Sequence, residues 1–444
     1  MTRGLADDTI AAIATAAGEG GVGIVRLSGP RAIAIAAGLL GVEPARLDRR
    51  VRVGVARGGD GGRLDEVLAF AMRAPGSFTG EDVAELHGHG GRVNLEALLA
   101  AVCAGGARIA EPGEFTRRAV GNGKLDLARA EALLGVISAG SARAWRLAQA
   151  NLGGRLGAAA AELETRVLRV LAEVEGRIDF PEDDLEAPAE LALAAELAAT
   201  AAACTGLAAG FRHARAVTGG VTVALVGEVN AGKSSLLNAL VGRERALVAA
   251  APGTTRDYLE VADLWDGVAV TLVDTAGTRE TADLVEQRGI ALGVARVEAA
   301  DVVVVVADDG TGAAVAAAAY GPRGIAVRSK ADLGARDARG DALRTSAKTG
   351  EGLDALKRRV LEVAGVSERE GSEDAFVSTA RQHAAALTAG ARVTAALAGW
   401  TARAPGEIVA LELREASRAL AELRGVEVGD RVLDEVFARF CIGK

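Results

Sequence analysis

The sequence predicts a multidomain chain of α+β and α/β class. An N-terminal α+β domain spans residues 1–120, an all-α domain comes in two parts, 121–216 and 372–444, and a parallel α/β domain, 217–371, is inserted between those parts. Three observations predict this. The chain has 444 residues, enough for roughly two to four domains at about 100–200 residues each. Its hydrophobic period shifts along the chain from two to about 3.6. β-branched runs alternating with helical stretches then lie between two helical segments.

Each element follows in order. Val51-Arg52-Val53-Gly54-Val55 alternates at period two, Val67 to Arg73 does so more loosely, and Asn94 to Val102 reads as a helix. Leu152, Leu156, Leu163, Val167, Leu171, Val174 and Ile178 recur at steps of three, four or seven, which is one face of a helix. Asp179-Phe180-Pro181 to Asp184 breaks that helix, and another follows. Val221 to Val226, Val268 to Val273, Val302 to Val306 and Ile325 to Arg328 read as strands separated by helices, the pattern of a parallel sheet flanked by helices. The polar spacer Val366 to Asp374 marks the return to helix.

Composition excludes several classes. Lys plus Arg is 51 against 59 for Asp plus Glu, a net charge of −8. That excludes a chain-wide basic coat for nucleic acid and leaves room for a local groove. Aromatics at 3% argue against stacking platforms for single strands. The acidic start reads as no signal peptide. Val302 to Ala307 is too short to span a bilayer, and the Ala-rich Leu191 to Gly210 is broken by Glu196, so no membrane span and a cytoplasmic protein are expected. Three cysteines make no disulfide framework. Cys103 and Cys204 sit in apolar runs and read as core thiols.

Gly227-Glu228-Val229-Asn230-Ala231-Gly232-Lys233-Ser234 is a G-x-x-x-x-G-K-S string between a strand and a helix that runs on through Ser235. Its backbone N–H groups and the helix N-terminus suit phosphate, Lys233 the β/γ-phosphates, and Ser234 a Mg2+ ion. The later motifs separate guanine from adenine nucleotides. Gly253-Thr254-Thr255-Arg256-Asp257 occupies the switch position, with Thr255 a second Mg2+ ligand. Asp274-Thr275-Ala276-Gly277 ends a strand, where Asp274 acts on Mg2+ through water and the Gly277 N–H meets the γ-phosphate. Ser329-Lys330-Ala331-Asp332 follows another strand, and a carboxylate there accepts from guanine N1–H and the 2-amino group. Ser346-Ala347-Lys348 offers a backbone N–H to guanine O6. Five elements in this order predict a Ras-like P-loop domain that binds GTP. Two residues depart from the usual pattern. Ser329 stands where Asn is usual, with one amide donor fewer, and Thr278 stands where Ras-like enzymes carry a water-orienting Gln. Asn230 either closes the loop by a hydrogen bond or helps hold a monovalent cation, and Glu286 is either a surface carboxylate or a water-positioning one.

The chain ends Phe440-Cys441-Ile442-Gly443-Lys444. Gly443 and Lys444 fit a prenylation signal poorly. A thiol beside a lysine suits a reactive cysteine, with a frayed, inert tail as the competing reading. His87-Gly88-His89 lacks a third metal ligand and reads as a loop.

Together these residues resemble the MnmE (TrmE) family of tRNA-modifying GTPases over essentially the whole chain. The resemblance rests on Asn230 to Ser235 within an inserted GTPase domain and on the terminal Cys-x-Gly-Lys. It also rests on Gly20 to Gly29, Ser77 to Gly91, Glu111 to Thr116 and Gly123 to Leu127. It implies an N-terminal dimerisation domain that binds a tetrahydrofolate one-carbon donor (5-formyltetrahydrofolate as bound analogue), with Arg26, Glu85, Lys124 and Lys444 at the folate. It implies Cys441 and Glu286 as catalytic residues. It implies a K+ ion held by Asn230 and a loop containing Ala249, Ala251 and Thr254, with face-to-face GTPase domains in a homodimer. The implied function is C5 modification of the wobble uridine of certain tRNAs, jointly with the FAD-dependent partner MnmG in a heterotetramer or larger complex. A regulatory GTP switch in ribosome assembly is the alternative. It would share the P-loop and the Gly-Thr-Thr-Arg-Asp string but would need neither Arg26, Lys124 nor a terminal cysteine.

Overall fold

The computed structural model describes residues 8–179, 187–241, 260–274, 295–334, 342–366, 376–426 and 428–443. Contacts divide the chain into two compact units. One comprises the N-terminal residues through Leu134 together with Arg424 to the C-terminus; the other is Gly135–Leu423. The last stretch of the expected second helical part therefore clusters with the N-terminal residues.

The first unit is built on a six-stranded sheet of β1 (Ile10–Ile13), β2 (Gly23–Ser28), β3 (Arg52–Arg57), β4 (Arg63–Met72), β5 (Val83–Gly88) and β6 (Arg108–Ile109), in the order β3-β4-β5-β2-β1-β6. All pairs are antiparallel except β1 with β6. The period-two alternation does the sorting. Ala11, Val25, Leu27, Ala69, Ala84 and Leu86 point into a core shared with α1 (Ala32–Leu40) and α2 (Arg92–Ala104). Ala12, Arg26, Glu85 and Phe70, which lie opposite one another in register, share the other face. Cys103, on α2, is only partly buried, whereas Cys204 of the second unit is fully buried as expected. Burial pushes the Cys204 thiol up to about 11.

After β5 the chain turns through His89-Gly90-Gly91 into α2, and buried Asp65 on β4 holds that turn. Its Oδ2 accepts from the His89 backbone N–H at 2.8 Å and from Asn94 Nδ2 at 2.6 Å, and its Oδ1 lies 2.7 Å from His89 Nδ1. His87 bonds instead to Glu85, so the two histidines serve different carboxylates. No group of metal-ligating residues occurs among the described residues.

In the same unit Arg118 of α3 (Glu114–Gly121) is 2% exposed, with its guanidinium on Asp8, Glu81 and Glu114. α14 (Asp430–Phe437), the last helix of the chain, sets Phe437 and Phe440 against Leu127 and Ala130 of α4 (Leu127–Ser138).

The second unit combines helices with a second six-stranded sheet. Its helices include α5 (Ala142–Leu152), α6 (Arg155–Asp179), α7 (Ala187–Ala209), α8 (Phe211–Gly219), α12 (Ala380–Thr401) and α13 (Gly406–Arg424). Of the face read from the sequence, Leu156, Leu163, Val167, Leu171 and Val174 lie on α6 and are all under 9% exposed, whereas Leu152 ends α5, before the break at Gly153-Gly154, and Ile178 is half-buried. α7 packs closely on α12, where a Cβ on Gly390 would lie 3.3 Å from Thr205 Oγ1 and 3.4 Å from Cys204 Cβ. Residues 190–219 are long and apolar enough, by length and composition, to cross a bilayer. Even so, Leu193, Leu197, Cys204 and Ala208 are buried within this unit, and Glu196 pairs with Arg166.

The sheet contains β7 (Val221–Val226), β8 (Glu260–Trp265), β9 (Val268–Asp274), β10 (Val302–Ala307), β11 (Gly324–Arg328) and β12 (Leu343–Arg344), in the order β12-β11-β10-β7-β9-β8. Every pair is parallel except β8 with β9. Between and beside the strands lie α9 (Lys233–Leu240), α10 (Gly310–Ala318) and α11 (Leu353–Val363). Val223, Leu225, Val270, Leu272, Val304 and Val327 form the core with Leu236, Leu237, Leu356 and Val360. Strands buried on both faces read as continuous apolar runs, which is why they were visible in the sequence.

One prediction concerns acid stability. Burial pushes the Asp65 carboxyl up, but hydrogen bonds from His89, Asn94 and the Glu66 N–H outweigh it and hold it at about 2, below its ordinary 3.8. A carboxylate depressed on folding adds stability that is present above its unfolded value and is lost as pH falls toward the folded one. Asp65→Asn should therefore be less stable than the parent at neutral pH. The gap between their urea midpoints should narrow as pH falls from about 4 to about 2.

Candidate functional site

Parallel pairing brings the C-terminal ends of β7, β9, β10 and β11 to one edge of the sheet, and the motif loops leave from there. The phosphate loop follows β7. Gly227 has φ +148°, and a Cβ there would fall 2.1 Å from the Val306 carbonyl oxygen, so only glycine lets the loop leave between β7 and β10. Asn230 takes a left-handed φ of 65° and Gly232 one of 95°, which curls the backbone before α9 begins at Lys233. Lys233 is buried, and its Nζ donates to the carbonyls of Gly227 and Glu228 at 2.8 and 2.7 Å. Ser234 Oγ donates to Asp274 Oδ2 at 2.9 Å. Two motif residues forty positions apart thus present hard oxygen donors at the start of the helix, a set that suits Mg2+.

The base-recognition loop follows β11 and is tied to the phosphate loop twice. Ser329 Oγ donates to the Ala231 carbonyl at 2.6 Å, and Lys330 Nζ donates to the Asn230 carbonyl at 2.8 Å. Asp332 is oriented from the next loop, where Ser346 Oγ donates to its Oδ1 at 2.7 Å. That bond, aided by the backbone N–H of Asp332 itself and by the charge of Lys348, holds the Asp332 carboxyl below its ordinary value against the cost of desolvation. A carboxylate has about four lone-pair sites, so it can accept further N–H groups from a ligand. Gly232, Ser235, Asp332, Ala347 and Lys348 help line a cleft of about 500 Å³ here. The sequence points to a backbone N–H of Ser346-Ala347-Lys348 and not to the orienting role of the Ser346 hydroxyl. A serine at the head of Ser-Ala-Lys was the available signal.

The structure thus brings Asn230, Ala231, Gly232, Lys233, Ser234, Ser235, Asp274, Ser329, Lys330, Asp332, Ser346, Ala347 and Lys348 to one sheet edge. Ala249, Ala251, Thr254, Thr255, Thr275, Ala276, Gly277, Thr278 and Glu286 lie outside the described residues, as does Lys444.

The first unit holds the other candidates. Arg26 Nε donates to Glu85 Oε1 at 2.8 Å, and His87 Nε2 lies 2.8 Å from Glu85 Oε2. The Arg26 guanidinium also stands 5.9 Å from the centre of the Phe115 ring. His87, read from the sequence as part of a loop, lies on β5, and Phe115 was not singled out as a site residue; their places depend on pairing across β2 and β5 and on where α3 packs. Lys124 Nζ donates to the Pro75 carbonyl, and Asn122 Nδ2 to that of Thr79. Cys441 is exposed between buried Phe440 and buried Gly443.

The family model for the MnmE helical domain matches residues 127–441, and that for the GTP-binding protein TrmE N-terminus matches residues 9–124. Among curated relatives, the tRNA modification GTPase MnmE of Synechococcus sp. (strain RCC307) is 43% identical over 100% of both chains. That of Parasynechococcus marenigrum is 45% identical over 99% of this chain and 100% of the relative. That of Symbiobacterium thermophilum is 41% identical over the same shares.

The geometry at Asp332 predicts a switch in base preference. An amide can accept from xanthine N1–H and donate to its 2-oxo group, but it cannot accept twice from guanine. Asp332→Asn should lose on the order of a hundredfold in GTP affinity and gain affinity for xanthosine triphosphate, as measured by equilibrium titration.

Proposed function

The chain belongs to the MnmE family of tRNA modification GTPases, and we propose from that premise that it is a K+-stimulated GTP hydrolase of wobble-uridine modification. Acting with the FAD-dependent partner MnmG, it adds an aminomethyl or carboxymethylaminomethyl group to C5 of that uridine in certain tRNAs. The one-carbon unit comes from a tetrahydrofolate. In this reading residues 1–120 form the folate-binding and dimerisation domain, 217–371 the GTPase domain, and 121–216 with 372–444 the helical domain.

The observation that carries the reading is the joining of four motif segments at one sheet edge: Ser234 on Asp274, Ser329 and Lys330 on the phosphate loop, and Ser346 on Asp332. In a nucleotide-bound site Asp332 accepts the guanine N–H groups and Lys233 faces the phosphates. Ser234 and Thr255 would hold Mg2+, which would supply positive charge beside the phosphates. Asn230, with Ala249, Ala251 and Thr254, holds K+, and Glu286 positions the attacking water in place of the glutamine that Thr278 replaces. The Gly277 N–H meets the γ-phosphate, so the Asp274-Thr275-Ala276-Gly277 motif can sense hydrolysis. In the first unit a folate, rich in N–H donors on its pterin and in carboxylates on its tail, would meet the buried Glu85 acceptor and the cations Arg26, Lys124 and Lys444, with Cys441 in the transfer chemistry.

Two measurements test this. Glu286→Ala should bind GTP normally and hydrolyse it at least about a hundredfold more slowly in K+ buffer; normal hydrolysis refutes the assignment of Glu286. In a host strain whose only copy carries Cys441→Ser, nucleoside mass spectrometry should show loss of the C5-modified wobble uridine while purified protein still hydrolyses GTP. An unchanged profile would move the weight to a regulatory GTP switch.

A further inference from the structure

The base loop of this chain reads Ser329-Lys330-Ala331-Asp332, and the proton of the Ser329 hydroxyl is already committed. Ser329 is 6% exposed. Its Oγ lies 2.6 Å from the Ala231 carbonyl oxygen and 3.2 Å from the Ala307 carbonyl oxygen. Both neighbours are acceptors only, so the single hydroxyl proton must serve them, with the shorter contact dominant. The lone pairs that remain on Oγ can only accept.

The major-groove edge of guanine presents N7 and O6, which are both acceptors. A carboxamide at this position would carry two N–H donors, one for the Ala231 carbonyl and one for N7. A hydroxyl has one. Turning it toward N7 would break the buried tie to the phosphate loop and leave a carbonyl unpaired, which costs more than the new bond returns. We infer that Ser329 makes the base cleft blind to N7: it is a loop tether that also sets nucleotide affinity, while base choice rests on Asp332.

This inference rests on the reading of the cleft as a guanine-nucleotide site and deepens it. N7 is common to guanine and adenine, whereas the N1–H and 2-amino donors that Asp332 accepts belong to guanine. Loss of the N7 contact therefore weakens binding and speeds release without admitting adenine nucleotides. Lys330, tied to the Asn230 carbonyl, is the second link between the same two loops.

The test compares GDP with 7-deaza-GDP, in which a C–H replaces N7, by equilibrium titration of the full chain with Mg2+ and K+ present and ADP as a third probe. The parent should bind GDP and 7-deaza-GDP within about twofold of one another. Ser329→Asn should tighten GDP binding and favour GDP over 7-deaza-GDP by roughly two- to tenfold. Ser329→Ala should weaken both nucleotides equally, since it removes the tether. All three proteins should reject ADP. A parent that prefers GDP by more than about threefold overturns the inference while leaving the guanine site intact. Folded Ser329→Asn that stays indifferent to N7 overturns the assignment of position 329. If that variant does not fold, the parent ratio and Ser329→Ala decide. A parent that binds ADP as well as GDP, or neither, removes the guanine-site reading and the inference with it.

Discussion

The parallel register of β7 with β9 and β10, and of β10 with β11, is the constraint on which the nucleotide cleft depends. Val223 opposite Val302, Leu225 opposite Asp274 and Val303 opposite Gly324 bring four strand ends to a common edge. Strand ends are where backbone groups lose their ladder partners, so the loops leaving them must find others. Here they find one another: the Ser329 N–H bonds to Ala307, the Thr345 N–H to Arg328, and the Ala331 N–H to Thr345. The side-chain ties from Ser329, Lys330 and Ser346 complete what the backbone begins. A shift of one residue in any pairing would exchange the side chains packed on the two faces of the sheet and pull the loops apart together.

The first unit is held differently. Its sheet buries small and branched side chains on one face, but its far face carries charge. Arg118, almost fully buried, is compensated by three carboxylates that come from residue 8, the loop before β5 and its own helix. A buried cation needs such partners, because desolvation would otherwise cost several kcal/mol. The network continues outward: Glu81 accepts from Ser28, Ser28 bonds Thr79, and Asn122 reaches the Thr79 carbonyl. It therefore fixes the loop between β4 and β5 and the segment that carries Lys124.

Much of this was legible in the sequence, for physical reasons. Strands buried on both faces leave unbroken runs such as Val302 to Val306, and the long helix α6 leaves its step of three and four. Motif loops are legible because phosphate binding demands glycine and lysine at fixed spacing. What was not legible depends on pairing between distant segments. Arg26 meets Glu85 only because β2 and β5 pair antiparallel in one register, and fifty-nine residues separate them. Cys103 reads as a core thiol from its apolar neighbours, yet its place on the turn of α2 leaves it partly exposed. The association of residues 424–444 with the N-terminal residues was hidden because α14 is short and its apolar face names no partner.

That association bears on the two readings of the terminal cysteine. A frayed end keeps its conformational freedom, and each residue it would order costs about 1–2 kcal/mol of backbone entropy. Here anchors flank Cys441. Phe440 is 4% exposed, and with Phe437 it packs on Leu127 and Ala130, while a Cβ on Gly113 would fall 2.7 Å from the Phe437 carbonyl oxygen. On the other side Gly443 takes φ +101° and lies so close to β1 that a Cβ would fall 2.3 Å from the Ile13 carbonyl oxygen. Any larger residue would have to displace the tail from the strand. Ile13 is paired with Val25, the neighbour of Arg26 in β2. The exposed thiol between these anchors thus belongs to an ordered end of the chain, and the anchor at Gly443 lies on the sheet that carries Arg26 and Glu85.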